Sequence, residues 1–236
     1  MFRLLQRMDD TEPRLPAGRE PMPAPKRRTL PSLTLLADAD ESELQALEDW
    51  SRGLDWVQWL LSGVRRRLDH LHFQPSAAGS MVKTKAAWDV FASQPLQEVL
   101  TPHLMRAWQA VSHNDLEALL HVDGTLGGRL ARFEAGASGE AGRLLFKATR
   151  QARYQGILGH YRQACESGRS PGHFLTVWAA VAHFFQLSLT NVVSEYLRLE
   201  WSLATRSQVG AALPGDFARL VADLLKPQVT EIRIVA

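Results

Sequence analysis

The chain has 236 residues, enough for one large domain whose core needs no disulfide or metal to hold it together. Hydrophobic residues make up 45% of the chain and charged residues 22%, which excludes a disordered protein, and the formal net charge of +2 gives no support to a broad nucleic-acid footprint. The single cysteine, Cys165, excludes an internal disulfide and a thiolate metal cage, and we expect a cytoplasmic protein.

Residues 1–31 differ in composition from the rest of the chain. They hold six of the twelve prolines and seven basic residues against four acidic ones. Because proline fixes φ and removes a backbone donor, we expect a basic, proline-rich arm here rather than a long helix or a strand. The charges at Arg3, Arg7, Asp9 and Asp10 would interrupt the apolar core of a secretion signal, so we expect no such signal.

The central part of the chain, residues 32–226, shows the apolar spacing of helices and no alternation of strands with helices. It therefore predicts one all-α domain of about seven to nine helices, followed by a short tail at 227–236. The first three helices are predicted at 41–71, 83–92 and 96–111. Within the third, Thr101-Pro102 is an alternative start, because proline favours the first turn of a helix.

Serine, asparagine and proline residues mark the starts of the later helices. Serine and asparagine side chains satisfy free N–H groups at a helix start, and proline loses no hydrogen bond in the first turn. One of these helices is predicted to include Phe133, and the next to continue as far as Cys165. In chain order the predicted starts are Asn114, Ser138, Ser170-Pro171, Ser188 and Pro214.

The longest stretch of this region without Asp, Glu, Lys or Arg is residues 170–194. A membrane span needs roughly 20 predominantly apolar residues. Here the dense apolar run covers only 174–187 and includes His183 and Gln186, and Ser188 then restarts the helical pattern. We therefore expect a buried helix followed by a second helix, and no membrane partner.

The sequence lacks the common motifs of an active site. It contains no phosphate-binding P-loop, no His-Glu-x-x-His pair and no Gly-x-Ser-x-Gly elbow. None of its eight histidines lies four residues from another, the spacing that lets one helix face bind a metal ion. We therefore expect no catalytic residue, no metal-binding residue and no directly bound cofactor.

Three of the seven tryptophans lie close together at Trp50, Trp56 and Trp59. Core packing is the simpler explanation. A partner surface is the alternative, because aromatic residues are enriched at the centres of protein interfaces. In the absence of a visible active site, the composition favours binding, scaffolding or chaperoning over catalysis.

Several blocks of sequence, in a fixed order, carry a family resemblance. Residues 138–145 (SGEAGRLL) pair a small residue and glycine with two leucines, and residues 172–187 (GHFLTVWAAVAHFFQL) place a histidine before an apolar helix. Residues 189–210 form a long helical pattern that ends in ATRSQVG. Residues 2–6 precede a Leu-Pro-Ala-Gly at 15–18. Together these blocks resemble the urease accessory protein F (UreF) family, helical chaperones of nickel insertion.

The resemblance implies a non-enzymatic accessory chaperone that assists GTP-dependent insertion of nickel into urease. Its implied partners are a urease accessory scaffold subunit, a nickel-carrying GTPase and apo-urease, and it implies a homodimer. Nickel would be handled by the complex, with no cofactor bound directly and no nucleic-acid partner. The resemblance places partner-binding residues at Gly142, Leu145, His173, Arg206 and Gly210, and in the tail at Ile232, Arg233 and Ile234.

The tail itself suggests a partner contact. Pro227 is expected to end the preceding helix near Lys226, and residues 229–235 have a strand-like composition without a predicted strand to pair with. Such a segment suits addition to a partner's sheet or groove. The alternative is a frayed terminus without a role.

Two other functions stay open on sequence alone. One is an unrelated all-α interaction or regulatory protein that binds nucleic acid through its basic arm. The other is an enzyme whose helical site carries no recognised motif. The family resemblance favours the accessory chaperone over both.

Overall fold

Helices account for most of the residues that the structure, a computed structural model, describes: 41–75, 80–130, 132–149, 156–206, 208 and 211–232. These residues form nine α-helices and one π-helical segment, and none of them lies in a strand. The predicted all-α single domain is confirmed, and the predicted arm at 1–31 lies outside the described residues. The elements are α1 (Glu41–Arg65), α2 (Met81–Ser93), the π-helical segment (Pro95–Leu100), α3 (Thr101–Ser112), α4 (Leu116–Gly127), α5 (Arg132–Ala148), α6 (Gly156–Glu166), α7 (Phe174–Phe184), α8 (Leu189–Ala204) and α9 (Phe217–Ile232).

Helix α7 lies at the centre of the fold. Every residue from 174 to 182 is buried, because the helix carries apolar and small side chains on all sides. Helices α3 and α5 pack along it most extensively, and α4, α6 and α8 also contact it. The expected buried helix followed by a second helix is therefore confirmed.

Within the described part of the chain, no helix is both long enough and apolar enough to cross a membrane.

An aromatic cluster fixes α2 against α8. Trp88 of α2 meets Trp201 of α8 edge to face, with ring centroids 5.2 Å apart. Phe73, in the segment after α1, lies 5.1 Å from both Trp88 and Phe91. Large buried aromatic rings contribute much apolar contact area, so this cluster holds the inner face of α2 in place.

Two predicted helix starts are confirmed. Ser188 caps α8, where its side-chain oxygen accepts a hydrogen bond from the Asn191 N–H at 3.3 Å. Helix α3 begins at the alternative start, Thr101, with Pro102 in its first turn. Both starts depend on signals within a few residues of each other along the chain.

Two other predicted starts are wrong. Asp115, not Asn114, caps α4, accepting the Ala118 N–H at 2.9 Å, while Asn114 takes up a turn with φ of 55°. Ser138 lies in the middle of α5, which begins at Arg132, and its hydroxyl binds groups from other parts of the fold rather than capping a helix. The helix predicted to include Phe133 ends at Gly127, and the one predicted to reach Cys165 is divided between α5 and α6.

The last two predicted starts are shifted along the chain. Helix α7 begins at Phe174 with His173 as its N-cap residue, after the predicted Ser170-Pro171. Helix α9 begins at Phe217, three residues after Pro214. In both cases the chain passes through a short turn between the predicted start and the first helical residue.

The prediction that the last helix ends near Lys226 is wrong. Helix α9 continues through Pro227 to Ile232, so the residues up to 232 that were expected to be strand-like are helical. Proline removes one backbone donor, but its φ is close to the helical value, and later residues can still donate to earlier carbonyls. Arg233 and Ile234 lie outside the described residues.

Candidate functional site

Polar side chains gather inside the protein at the N-terminal end of α7. We call this set the α7 network. Buried polar groups are normally hydrogen-bonded, since an unpaired one is costly. The members come from the segment after α1, from α4, α5 and α8, and from the turn before α7: His72, Asp123, Ser138, Ser170, Tyr196 and Glu200.

Glu200 of α8 holds the segment that follows α1. Its carboxylate is fully buried and accepts hydrogen bonds from the backbone N–H groups of His72 (3.2 Å) and Phe73 (3.1 Å). It also lies 2.9 Å from Nδ1 of His72. The Tyr196 hydroxyl lies 3.0 Å from the same nitrogen, and burial followed by the Glu200 charge raises the pKa of Tyr196 well above its usual range.

Ser138 connects His72 to the start of α7. Its side-chain oxygen lies 3.1 Å from Nε2 of His72 and accepts the Phe174 N–H at 3.1 Å. The two ring nitrogens of His72 therefore contact Glu200 on one side and Ser138 on the other. Ser138, His72 and Glu200 thus have the connectivity of a hydrolase triad, but Ser138 has no exposed surface and its hydroxyl is closed to a substrate.

Asp123 of α4 fixes the turn that leads into α7. Its carboxylate accepts the Ser170 hydroxyl, the Gly172 N–H at 2.7 Å and the His173 N–H at 2.9 Å. Gly172 has φ of 70°, a conformation that favours glycine. A carboxylate at the start of a helix also interacts favourably with the helix dipole, so Asp123 sets where α7 begins.

Tyr161 and Cys165 of α6 lie near the same carboxylate. Burial, followed by the Asp123 charge, raises the pKa of the Tyr161 hydroxyl well above its usual range. The same two causes raise the pKa of the Cys165 thiol to about 12. Since the thiolate is the reactive and metal-binding form, Cys165 at neutral pH acts as a small, protonated packing group.

A cavity of about 40 Å³ opens beside His72. Its volume fits a few water molecules and is far below the several hundred Å³ of a typical cofactor site. Within the described ranges, no group of three or more His, Cys, Asp or Glu side chains is arranged to hold a metal ion. The lining residues are His72, Pro95, Val99, Leu100, Arg129, Leu130 and Glu134.

Comparison with known protein families gives a match. The family model UreF matches residues 86–213, more than half of the chain. This protein belongs to the UreF family. The match runs from α2 to the segment before α9, and the resemblance drawn from the sequence is confirmed. UreF proteins are non-enzymatic, and the family implies a urease accessory chaperone role for this chain. Comparisons with curated proteins and with solved structures found no match.

Three of the predicted partner-binding residues lie inside this UreF-family protein. Gly142 is buried where α5 meets the start of α7, and a Cβ atom there would overlap the Gly172 carbonyl oxygen. Leu145, about one turn further along α5, is fully buried. His173 is the buried N-cap residue of α7. Their observed contacts are therefore internal, and a direct role in partner binding stays a prediction.

Arg206 lies apart from the α7 network, just after α8. Its guanidinium donates to the backbone carbonyls of Arg65 and Leu68 and pairs with the Asp69 carboxylate at 3.3 Å. It thus satisfies carbonyls at the C-terminal end of α1, which ends at Arg65 and not at 71 as predicted. Gly210 lies outside the described residues, and Ile232 is described only by its helical backbone.

His103 of α3 contacts Thr176 of α7, outside the α7 network. Its Nε2 lies 3.1 Å from the Thr176 hydroxyl oxygen. Burial lowers the pKa of His103 from 6.5 to about 3, with smaller contributions from His173, His72 and two arginines. His103 is therefore neutral throughout the physiological pH range.

We expect His103 to make the folded state less stable as the pH falls from 6.5 to 5.5. Because its pKa is lower in the folded protein, the unfolded chain binds a proton that the folded protein does not. The stability that neutral His103 contributes is fully present above pH 6.5 and decreases below that pH. Between pH 6.5 and 5.5 the free energy of unfolding should fall by about 1 kcal/mol from this residue. Urea unfolding at both pH values measures it.

The control for this pH effect is His103→Gln, whose amide can donate to or accept from Thr176 and does not titrate. The decrease in its unfolding free energy between pH 6.5 and 5.5 should be smaller than that of the wild type by about 1 kcal/mol. Equal decreases in the two proteins would contradict the assignment.

Proposed function

We propose that this protein assists GTP-dependent nickel insertion into urease in the cytoplasm, as the adaptor between a nickel-carrying GTPase and a scaffold subunit. The observation that carries the proposal is the UreF match over residues 86–213. The α7 network supports it, because its polar side chains bind one another and backbone groups in the interior. The outer surface is then where partners, including apo-urease and a second copy, would bind.

Exposed aromatic side chains on α1 support a role in protein binding. Trp56 and Trp59 expose 41% and 43% of their surface, and their rings meet edge to face with centroids 5.9 Å apart. Phe184, at the end of α7, is also exposed. Because aromatic residues anchor many protein interfaces, the exposure favours the partner-surface explanation for these two tryptophans over core packing.

Reconstitution of urease activation tests the proposal. Apo-urease, the scaffold subunit, the GTPase, nickel and GTP are combined with and without this protein, and urease activity is measured. We expect most of the activity to depend on this protein. We also expect the GTPase and the scaffold subunit to co-elute in gel filtration only when it is present. Activation or co-elution of equal extent without it would reject the adaptor role.

We expect the isolated protein to bind no nickel tightly. Its one thiol is protonated at neutral pH, with a pKa of about 12, and soft thiolate or clustered imidazole ligands are what a tight site needs. Equilibrium dialysis of the untagged protein measures nickel binding. Stoichiometric binding at micromolar nickel would contradict this expectation.

Arg206→Ala is expected to weaken capture of the partner proteins by about tenfold, a loss of 1.4 kcal/mol in binding. The arginine connects the segment after α8 to the end of α1. Its loss would free the segment after α8 from α1 and leave the core intact. The melting temperature should fall by only a few degrees. The readouts are co-elution and thermal unfolding.

The matched control is Arg169→Ala, which removes another exposed arginine, paired with Glu117 at 3.4 Å. We expect it to bind the partners like the wild type. A large loss of stability in Arg206→Ala with unchanged partner capture would show that Arg206 has a structural role alone.

A further inference from the structure

Helix α2 presents apolar side chains on its outer face as well as its inner face. Its inner face buries Thr84, Trp88 and Phe91. On the outer face Val82 is 78% exposed and Val90 is 60% exposed. Ala86, also exposed, lies between them, and residues four apart share one face of a helix. The three form a strip about 12 Å long, which we call the α2 strip.

Lysines flank the α2 strip on both sides. Lys83 and Lys85 are exposed and lie on either side of the buried Thr84. At about 100° per residue, each lies at one edge of the α2 strip in the first two turns. Asp89 is the one acidic residue in the sequence of α2, and it lies a turn further on. The positive charge is therefore concentrated at the N-terminal end of the helix.

More cations lie at the end of α1. Arg65, Arg66 and Arg67 are exposed at the end of α1, where Arg206 binds the Arg65 and Leu68 carbonyls. Gln208, two residues after Arg206, donates to the Thr84 hydroxyl oxygen at 3.1 Å. Two residues span at most about 7 Å. One short segment after α8 thus contacts both the end of α1 and the inner face of α2, and Asp69, paired with Arg206, is a local counter-charge.

We propose that the α2 strip and its flanking lysines form the docking surface for an acidic amphipathic helix of a partner protein. The apolar side chains of that helix would cover Val82, Ala86 and Val90, which is a common mode of helix recognition. Its carboxylates would meet Lys83 and Lys85. Because charge complementarity sets orientation, its most acidic part lies at the N-terminal end of α2, away from Asp89.

The charges favour a different protein as the occupant over the basic arm at 1–31 of this chain. Residues 1–31 carry seven basic and four acidic residues, so they would bring more positive charge to Lys83 and Lys85. A second copy that packed its own α2 against this one would present the same two lysines against one aspartate, again with an excess of positive charge. An acidic helix neutralises the surface and covers its apolar residues. This inference does not depend on the proposed function.

The test uses the full-length protein and a fluorescein-labelled amphipathic peptide of about 18 residues, with leucines on one face and glutamates on the other. Fluorescence anisotropy gives its affinity. We expect the protein to bind this peptide at least about ten times more tightly than the same peptide with lysine in place of glutamate. Binding should weaken as salt is raised, because exposed charges are screened.

Two double variants and a matched control locate the site. Val82→Ser with Val90→Ser, and Lys83→Glu with Lys85→Glu, should each weaken peptide binding about tenfold or more. Arg143→Glu with Lys147→Glu reverses two exposed charges on α5 and should bind like the wild type. All these residues are exposed, so circular dichroism should show unchanged helix content and melting temperatures within a few degrees.

Five results would overturn the proposal. They are equal binding of the acidic and basic peptides, no measurable peptide binding, and α2 variants that bind like the α5 control. The fourth is a change from dimer to monomer in sedimentation when Val82 and Val90 are replaced, which would make a second copy the occupant. A single-stranded oligonucleotide that binds more tightly than the acidic peptide would assign the surface to nucleic acid instead.

Discussion

Glu200→Ala is expected to lower the free energy of unfolding by about 3–5 kcal/mol, because buried backbone donors would be left without a partner. The backbone N–H groups of His72 and Phe73 would lose their acceptor, and Nδ1 of His72 would keep the Tyr196 hydroxyl as its hydrogen-bonding neighbour. Each buried donor without a partner costs about 1–3 kcal/mol. Urea unfolding at neutral pH measures the change, which is a large part of a typical domain's stability.

Two variants control for this prediction. Glu200→Gln keeps one carbonyl oxygen as an acceptor and should lose less than Glu200→Ala. Glu140→Ala removes an exposed glutamate from α5 and should change the unfolding free energy by no more than about 0.5 kcal/mol. A loss below about 1 kcal/mol for Glu200→Ala would show that the α7 network contributes little to stability.

Gly142→Ala is expected to lower the free energy of unfolding by about 3 kcal/mol, at the upper end for overpacked positions. The new Cβ would overlap the Gly172 carbonyl oxygen and lie 3.2 Å from Cγ2 of Val177. The backbone at Gly172 has little freedom to retreat, because its N–H is bound to Asp123 at 2.7 Å. Helix α5 would therefore have to move away from α7.

Gly136→Ala is the matched control for Gly142→Ala. Gly136 lies in the same helix and is exposed, and a Cβ atom there would have no neighbour within 4 Å. Alanine has a higher helix propensity than glycine, so this variant should gain up to about 1 kcal/mol. Urea unfolding of the two variants should show opposite signs, and a shared sign would contradict the packing explanation.

The sequence predicts elements well where the signals are local. Ser188 caps α8 because its partner, the Asn191 N–H, lies three residues away. Ser138 has the same residue type before a helical pattern, but its hydroxyl binds His72, which is 66 residues away. No residue near Ser138 in the sequence predicts that partner. Helix α9 continues past Pro227 because the φ of proline is close to the helical value, so this local signal does not decide where the helix ends.

The two carboxylates of the α7 network left a signal that sequence reasoning missed. Glu200 lies four residues after Tyr196, and Asp123 lies four residues after Leu119, so both occupy the apolar faces of their helices. An acidic residue on such a face predicts a buried, hydrogen-bonded carboxylate. The identity of its partners was not predictable, because His72 and Glu200 are 128 residues apart.

Five backbone N–H groups in this protein donate to side chains where two chain segments meet α7 or α8. They belong to His72, Phe73, Gly172, His173 and Phe174, and three side chains accept them all. An alkyl side chain in the core can be exchanged for another of similar volume at small cost, whereas no apolar residue can accept a hydrogen bond. During evolution the leucines around α7 can therefore be replaced by other apolar residues. Asp123, Ser138 and Glu200 can be replaced only if the loops that they bind change their sequence and conformation as well.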